Sequence, residues 1–511
     1  MKNSRTKNSA FNILTSIASQ IVTIVLSFIS RTVFLKVLGV GYLGISGLFG
    51  DVLSMLTLAD LGFGTAMMFS MYKPLAENDQ ETLAGLICFY KKVYRIIALG
   101  VTLIGLALIP FLPYLINLQT DIPHVTLYYI LFLANTVASY LVVYKTTILA
   151  ADQKSYILTK YTMIINVIQT LVQIVVLLLT HNYIIYLLTQ VLFVYGTNFY
   201  KSQVAQKMYP YINKKVVLPK ERTKDIFKNI SSVFLYKLSS VMINATDNTL
   251  ISIIVGTEWV GYYSNYGIII SKLTGIINTV FYSLTASLGN LIVKENYNKR
   301  YSIFQIMQAV SQIISTFCVT CVFFLEEDFV RIWLGNEYAL GKLVLCAITL
   351  NFYFSITLLP IWVFRESTGL YRKTKYVMLC TAGVNLLTSI YLGNRIGLAG
   401  VIFATSIARF TTYFWYEPYL LFKEYFNKSC KYFFSSVLKG IIGTGVTFIV
   451  VYFASIRLNP VTWIQLLIKG IVVGFISLLM SILIYHRTEG FRLMYQRVKE
   501  IFERIEKAIR K

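Results

Sequence analysis

Apolar windows long enough to cross a bilayer recur from one end of this chain to the other, and that recurrence restricts the fold more than any other feature. A segment in hydrocarbon must satisfy its own backbone polar groups, so it is a helix or a strand of a closed barrel, and runs of roughly 20 apolar residues have helical length. Fourteen such windows can be placed, near residues 9 to 35, 42 to 71, 96 to 116, 125 to 144, 161 to 180, 183 to 200, 229 to 255, 260 to 292, 303 to 325, 343 to 364, 377 to 393, 397 to 420, 435 to 455 and 462 to 485. Of the 511 residues 56% are hydrophobic and 14% charged, and no polar segment exceeds about 25 residues. The chain therefore reads as an all-α polytopic membrane protein of about 14 transmembrane helices, with no room for a soluble catalytic domain.

The formal net charge is +24. In a soluble protein this would point to nucleic acid, but here the placement of the cations argues otherwise. Of the 47 Lys and Arg, 37 fall in one alternating set of connecting segments, and only Lys36, Arg331, Lys342, Arg395 and Arg457 fall in the other. That asymmetry predicts both termini in the cytoplasm, attraction to membrane lipids and no nucleic-acid partner. Five cations remain within the spans: Arg31, Lys237, Lys272, Arg409 and Lys469. Arg409 and Lys469 read as structural or snorkelling residues.

Cysteines at 88, 318, 321, 346, 380 and 430 all lie in or beside apolar windows, which predicts no disulfide framework. Cys318 and Cys321 form a CxxC on a spanning helix without nearby His, a packing pattern rather than a metal site. The scattered His124, His181 and His486 make no metal or triad constellation. The N-terminal MKNSRTK before a long apolar run reads as a retained first helix, since no small-residue cleavage site follows.

The chain repeats internally. Gly39-Val40-Gly41-Tyr42-Leu43-Gly44 returns as Gly256-Thr257-Glu258-Trp259-Val260-Gly261, an offset of 217 that also maps Asn12 onto Asn229. Near offset 220, Lys145 falls on Arg365 and Asn166 close to Asn385. These matches pair spans 1 to 6 with spans 7 to 12. Six is even, so the expected relation is a pseudo-two-fold along the membrane normal, with substrate handled between the lobes. The expected organisation is an N-lobe over 1–208, a basic cytoplasmic linker over 209–224, a C-lobe over 225–420, an accessory span pair over 421–488 and an amphipathic cytoplasmic helix over 489–511. In that tail Phe491, Met494, Val498, Ile501, Phe502, Ile505 and Ile509 recur at steps of three and four, opposite Arg and Lys, as in a helix lying on the inner leaflet.

Polar residues inside the spans mark the candidate site. The stretch from Arg31 to Tyr72 is apolar yet carries Arg31, Lys36, Asp51 and Asp60 among seven glycines. An ionisable group in lipid costs roughly 2.5 to 3.5 kcal/mol even on lenient scales, so it faces a partner or a watery cavity. Asn12, Ser16, Gln20, Thr23, Ser27 and Arg31 share one face of span 1, and Asn229, Lys237, Ser240, Asn244, Asp247 and Asn248 recur at matching positions in span 7. Two such stripes make the sides of a cavity. With Lys272 from span 8, its cations Arg31 and Lys237 suit an anionic substrate such as a phosphate or pyrophosphate. Asp60 and Asp247 are either counter-charges to these cations or sites for a coupling proton or sodium ion. Asp51 and Asp60, nine apart, point to opposite faces of an unbroken helix, so only one is expected to see the cavity. Among motifs, P-loop, HExxH and GxSxG patterns are absent, which argues against an enzyme.

At Ser30-Arg31, Gly39, Gly44, Gly47-Leu48-Phe49, Ala59-Asp60-Leu61-Gly62 and Tyr72-Lys73-Pro74-Leu75-Ala76 the chain resembles the Wzx-type oligosaccharide flippases of the MOP (MATE-like) superfamily. Thr246-Asp247-Asn248, Gly261-Tyr262-Tyr263-Ser264-Asn265-Tyr266, Ile332-Trp333-Leu334-Gly335 with Tyr338, and Asn385 with Gly397 and Gly400 extend the resemblance over nearly the whole chain. The family pattern more often has Glu at the place of Asp60 and an uncharged residue at that of Asp51. The resemblance implies two pseudo-symmetric six-helix lobes around a cavity that opens alternately to either side. It implies an undecaprenyl-pyrophosphate-linked oligosaccharide as substrate, flipped across the bacterial cytoplasmic membrane for capsule, exopolysaccharide or other envelope glycan synthesis. Under it, Arg31, Lys237 and Lys272 become pyrophosphate contacts, and Gln20, Ser27, Asn244 and Asn248 sugar contacts. No cofactor is implied beyond coupling to H+, Na+ or the membrane potential, and the expected partners are a glycan polymerase or glycosyltransferases of the same pathway. The alternatives are a lipid II flippase, a MATE-like exporter of small molecules and, from a different class, a membrane polysaccharide polymerase or ligase.

Overall fold

A computed structural model describes residues 2–57, 63–119, 121–219, 234, 238–243, 245–285, 288, 292 and 295–509. Among these residues every regular element is a helix, as a chain without water to solvate its backbone requires. Among the described residues seven helical stretches are long and apolar enough to cross a membrane, and two pairs bent by 47° and 43° pass together. The chain is an all-α, multi-span membrane protein.

The chain divides into two compact units, Met1–Gly261 and Tyr262–Lys511. In the first, the longer helices are α1 (Lys2–Leu38), α2 (Val40–Leu56), α3 (Phe63–Glu77), α4 (Gln80–Ala107), α5 (Val125–Tyr140), α6 (Val143–Ala151), α7 (Ser155–Thr180), α8 (Tyr183–Met208) and α9 (Asp247–Ile254), followed by the first turn of α10 (Thr257–Tyr282). α1 packs along α7, α7 along α8 and α8 along α5, while α3 lies against α4 and α6. The window read as 42 to 71 is covered by two helices, α2 ending at Leu56 and α3 beginning at Phe63. Residues 58–62, which include Asp60, lie outside the described residues.

The repeated hexads prove to be a helix crossing. Gly39 and Gly256 both take positive φ, 87° and 138°, a backbone region that favours glycine and here separates each new helix from the one before. Their partners at the other end, Gly44 and Gly261, allow close approach: a Cβ on Gly44 would strike the Thr257 carbonyl, and one on Gly261 would strike the Val40 carbonyl. Val40 and Thr257 are themselves repeat mates. Each copy of the motif thus presents the same glycine to the same carbonyl of the other, which is the signature of a local two-fold contact.

The second unit continues with α10 and then α11 (Tyr297–Leu334), α12 (Lys342–Thr357), α13 (Leu359–Thr368), α14 (Tyr371–Thr411), α15 (Tyr413–Leu421), α16 (Lys431–Ser455), α17 (Trp463–Tyr485) and α18 (Glu489–Ile509). Pro360 in the first turn of α13 marks the break from α12. α14 covers the boundary between two windows, with non-helical backbone at Ile396 and at Gly397, φ 60°. At the centre stands α11, which contacts α12, α16, α17 and α18. Its residues Gln305, Gln308, Ser311, Gln312, Ser315 and Thr316 form a buried polar stripe. Ser311 Oγ donates to the Ile356 carbonyl at 2.7 Å, and Thr316 Oγ1 shares hydrogen bonds with Thr444 Oγ1 at 3.0 Å and Tyr485 Oη at 3.2 Å. Hydrogen bonds between spanning helices thereby tie the pair α16 and α17 to α11. The tail helix also docks there: Gln305 Nε2 donates to Glu489 Oε2 at 2.7 Å, and Gly490 sits where a Cβ would meet the Gln305 carbonyl.

This unit holds one buried ion pair and one partly buried group of charges. Arg365, expected from the sequence to be a cation of a cytoplasmic segment, is 5% exposed and reaches both oxygens of Glu417 through one guanidinium nitrogen, at 2.7 and 2.9 Å. Lys469 Nζ meets Asp328 Oδ2 at 2.6 Å, and Arg331 meets the other oxygen, Oδ1, at 2.7 Å. Arg409 donates to Ser355 Oγ at 2.9 Å and to the Asn351 carbonyl at 3.4 Å. These contacts give Arg409 and Lys469 structural partners.

Removing one member of a buried pair strands the other, at a cost of about 3–5 kcal/mol, whereas an apolar replacement of both is close to neutral. Arg365→Met is therefore expected to lower the unfolding midpoint sharply in detergent, and Arg365→Met with Glu417→Leu to restore most of it, as read by intrinsic-fluorescence melting. At the hexad crossing, Gly44→Val and Gly261→Val are each expected to destabilise by at least about 1–3 kcal/mol, because backbone oxygens cannot rotate away. Gly50→Ala, which adds a Cβ with nothing within 4 Å, is the control expected to be neutral or stabilising in the same melts.

Candidate functional site

Span-length helix α1 carries the polar stripe on a half-buried face, with Gln20, Thr23, Ser27 and Arg31, while Ile21, Val25 and Ile29 are 59%, 53% and 48% exposed. The apolar side faces outward, as a lipid-contacting helix requires. Several stripe hydroxyls turn back on their own helix: Thr23 Oγ1 donates to the Ser19 carbonyl at 2.7 Å and Ser27 Oγ to the Thr23 carbonyl at 2.5 Å. Ser27 thus spends its proton on its own backbone and keeps only acceptor capacity for a ligand.

Arg31 lies two to three turns of helix from Gln20 and Thr23, beside Tyr186 of α8, and Tyr186 is hydrogen-bonded to Ser30. Around it an aromatic cluster locks four helices together. Tyr183 packs against Phe34 of α1, Tyr42 of α2 and Tyr128 of α5 with ring centroids 5.7, 5.2 and 4.8 Å apart. Its hydroxyl shares a 2.6 Å hydrogen bond with Ser46 Oγ. Edge-on aromatic contacts of this kind fix helix positions, so the guanidinium is presented from a rigid wall. A planar fork of N–H donors beside phenolic hydroxyls is suited to the oxygens of a phosphate.

The second stripe is described in part. Asp247 and Asn248 are half-buried at the start of α9, and Lys272 is half-buried on α10 in the second unit. Lys237, Asn244 and Asp60 lie outside the described residues. Asn248 hydrogen-bonds the Asp51 carboxylate of α2 through its backbone N–H and its side-chain amide. A carboxylate on the first turn of a neighbouring helix satisfies an otherwise orphaned amide and complements the helix dipole. Gly47, one turn before Asp51, leaves room for the approach, since a Cβ there would meet Val260 Cγ1 at 2.8 Å. Neither Asp51 nor Tyr186 is among the site residues that sequence reasoning selects. For Asp51 the available signal is its place on the face of Gly44; for Tyr186, one tyrosine among 37, nothing in the sequence marks the spot. Among the described residues no group of three or more His, Cys, Asp or Glu is arranged to hold a metal ion.

No family model and no curated relative matches the chain in sequence. Solved structures do match in fold. A lipid II flippase MurJ in an inward closed conformation superposes with a TM-score of 0.68 at 16% identity, covering 93% of this chain and 99% of that one. An inward-facing multidrug-resistance MATE transporter of the MOP superfamily gives 0.61 at 14% identity, over 77% and 93% of the two chains. A MOP-superfamily transporter from Pyrococcus furiosus, described as having a binding pocket of reversed polarity, gives 0.55 at 16% identity over 80% and 94%. The chain therefore has the fold shared by the MurJ flippase and the MATE transporters of the MOP superfamily.

Proposed function

We propose that this protein is a flippase that carries undecaprenyl-pyrophosphate-linked oligosaccharides across the bacterial cytoplasmic membrane by alternating access, for capsule or other envelope glycan synthesis. The observation that carries the reading is Arg31: a guanidinium on the polar face of a membrane helix, beside Tyr186, in a chain with the fold of lipid and drug transporters. In this reading Arg31, Lys237 and Lys272 hold the pyrophosphate, and Gln20, Ser27, Asn244 and Asn248 line the path of the sugars. In the same reading an N-lobe over 1–208 and a C-lobe over 225–420 are joined by the basic linker, spans over 421–488 are accessory, both termini are cytoplasmic, and glycan polymerase or glycosyltransferases of the pathway are the partners. With the cytoplasm negative, outward movement of an anion gains about 2.3 kcal/mol per charge per 100 mV. Asp60 and Asp247 are either counter-charges or the seat of a coupled H+ or Na+. A cationic wall does not suit export of small cations, and nothing in the polar segments suits a polymerase.

The match to a lipid II flippase over 93% of the chain favours lipid II as the second substrate to test. The assay is headgroup crossing in liposomes that hold either lipid-linked oligosaccharide or lipid II. Arg31→Ala is expected to slow crossing of the preferred substrate about tenfold or more, the equivalent of about 1.4 kcal/mol of lost charge-assisted contact. Lys237→Ala is expected to act in the same direction, and Arg31→Lys to fall between Arg31→Ala and wild type. Full-rate crossing in both Ala variants would remove these cations from the path, and transport of lipid II alone would reassign the substrate.

A further inference from the structure

At the Leu334 end of α11 a cavity of about 550 Å³ opens among α11, α12, α16 and α17, and its wall carries Glu327, Asp328, Arg331, Lys342 and Lys469. Next to it lies an apolar slot of about 390 Å³, lined by Val319, Phe323, Cys346, Phe403, Ile441 and Phe448. Phe323 lines both, so the charged chamber and the apolar slot adjoin across its ring. That ring is fixed in place, stacked on Phe448 with centroids 4.8 Å apart. Together the two spaces have a charged end and an oily end in immediate succession.

The charges are unevenly committed. Asp328 is engaged on both oxygens, by Lys469 at 2.6 Å and Arg331 at 2.7 Å. Arg331 also donates to the Pro460 carbonyl at 3.1 Å, which leaves further guanidinium N–H groups of its five for a ligand. Lys342, at the first position of α12, is exposed. Three cations stand against two carboxylates, an excess of one positive charge. The slot opens sideways rather than into a polar space: Ile441 is 49% exposed and Cys346 is exposed on the surface that α12 and α16 turn outward, among apolar neighbours such as Leu438 and Ile442, both 58% exposed. The pair of spaces suits an occupant that enters from hydrocarbon and carries one negative charge and an alkyl chain.

We propose that these adjoining cavities bind a monoanionic glycerophospholipid, with its phosphate among Arg331, Lys342 and Lys469 and one acyl chain lying past Phe323. Such a lipid bridges α16 and α17 to α11 and α12 and is distinct from any transported molecule. A phosphate oxygen held by a guanidinium and an ammonium is a charge-assisted contact that a zwitterionic headgroup, with its own cation beside Lys342, makes less well.

The test uses the full-length protein in detergent with an equimolar mixture of phosphatidylglycerol and phosphatidylcholine of matched chains, and reads retained lipid by native mass spectrometry. Phosphatidylglycerol is expected to be retained over phosphatidylcholine by about tenfold. Arg331→Gln with Lys342→Gln is expected to abolish the preference while leaving the unfolding midpoint close to wild type, because Lys469 still pairs with Asp328. Cys346→Trp, which fills the slot from its exposed rim, is expected to reduce retention of both lipids. Equal retention of the two lipids by wild type, or an undiminished preference in the double variant, overturns the proposal. Displacement of the lipid by millimolar inorganic phosphate alone also overturns it, since it would show that the apolar slot contributes nothing.

Discussion

A polar group inside hydrocarbon has no water to turn to, and that constraint governs where the polar side chains of this protein go. Hydroxyls meet it locally: Thr23, Ser27, Thr32 and Thr102 each donate to the carbonyl one turn back on their own helix. Longer side chains meet it across helices, and there the requirement becomes architecture. In the stripe from Gln305 to Thr316 the requirement is met in part: Thr444 and Tyr485 supply partners to Thr316 from α16 and α17, while both polar atoms of the buried Gln308 amide have no bond to protein. A helix pair outside the internal repeat is thus held by specific hydrogen bonds as well as by apolar contact, which in lipid provides no net drive between helices.

The same constraint sorts the cations. Arg365 is held by Glu417, Lys469 by Asp328, and Arg409 by Ser355 and a backbone carbonyl. In each case the partners fix the geometry of the group. Arg31 is set differently, beside Tyr186 and on a face shared with Gln20 and Ser27. A phenolic hydroxyl holds a guanidinium less strongly than a carboxylate does.

Much of the fold is legible in the sequence. Window length and the 217-residue offset foretell an all-helical, multi-span chain, and the hexads at 39–44 and 256–261 touch each other. Sequence periodicity reports backbone requirements well, and a glycine at a crossing is such a requirement. It reports partnership poorly. Arg365 looks like one more cation of a basic segment because its carboxylate, Glu417, is 52 residues away, and Asp328 looks like part of a solvated turn although Lys469 reaches it across 141 residues. Asn248 has the stripe position of a ligand contact; which carboxylate claims its donors depends on where α2 runs.

The hexad crossing links these levels. Two chains of carbonyls approach only where both copies carry glycine, so the contact survives only if the copies change together. Around it the copies have diverged freely: Arg31 in one corresponds to Asn248 in the other, and Asn248 now serves Asp51, a residue on the very helix that the crossing positions. A two-fold backbone frame therefore carries an unsymmetrical set of charges.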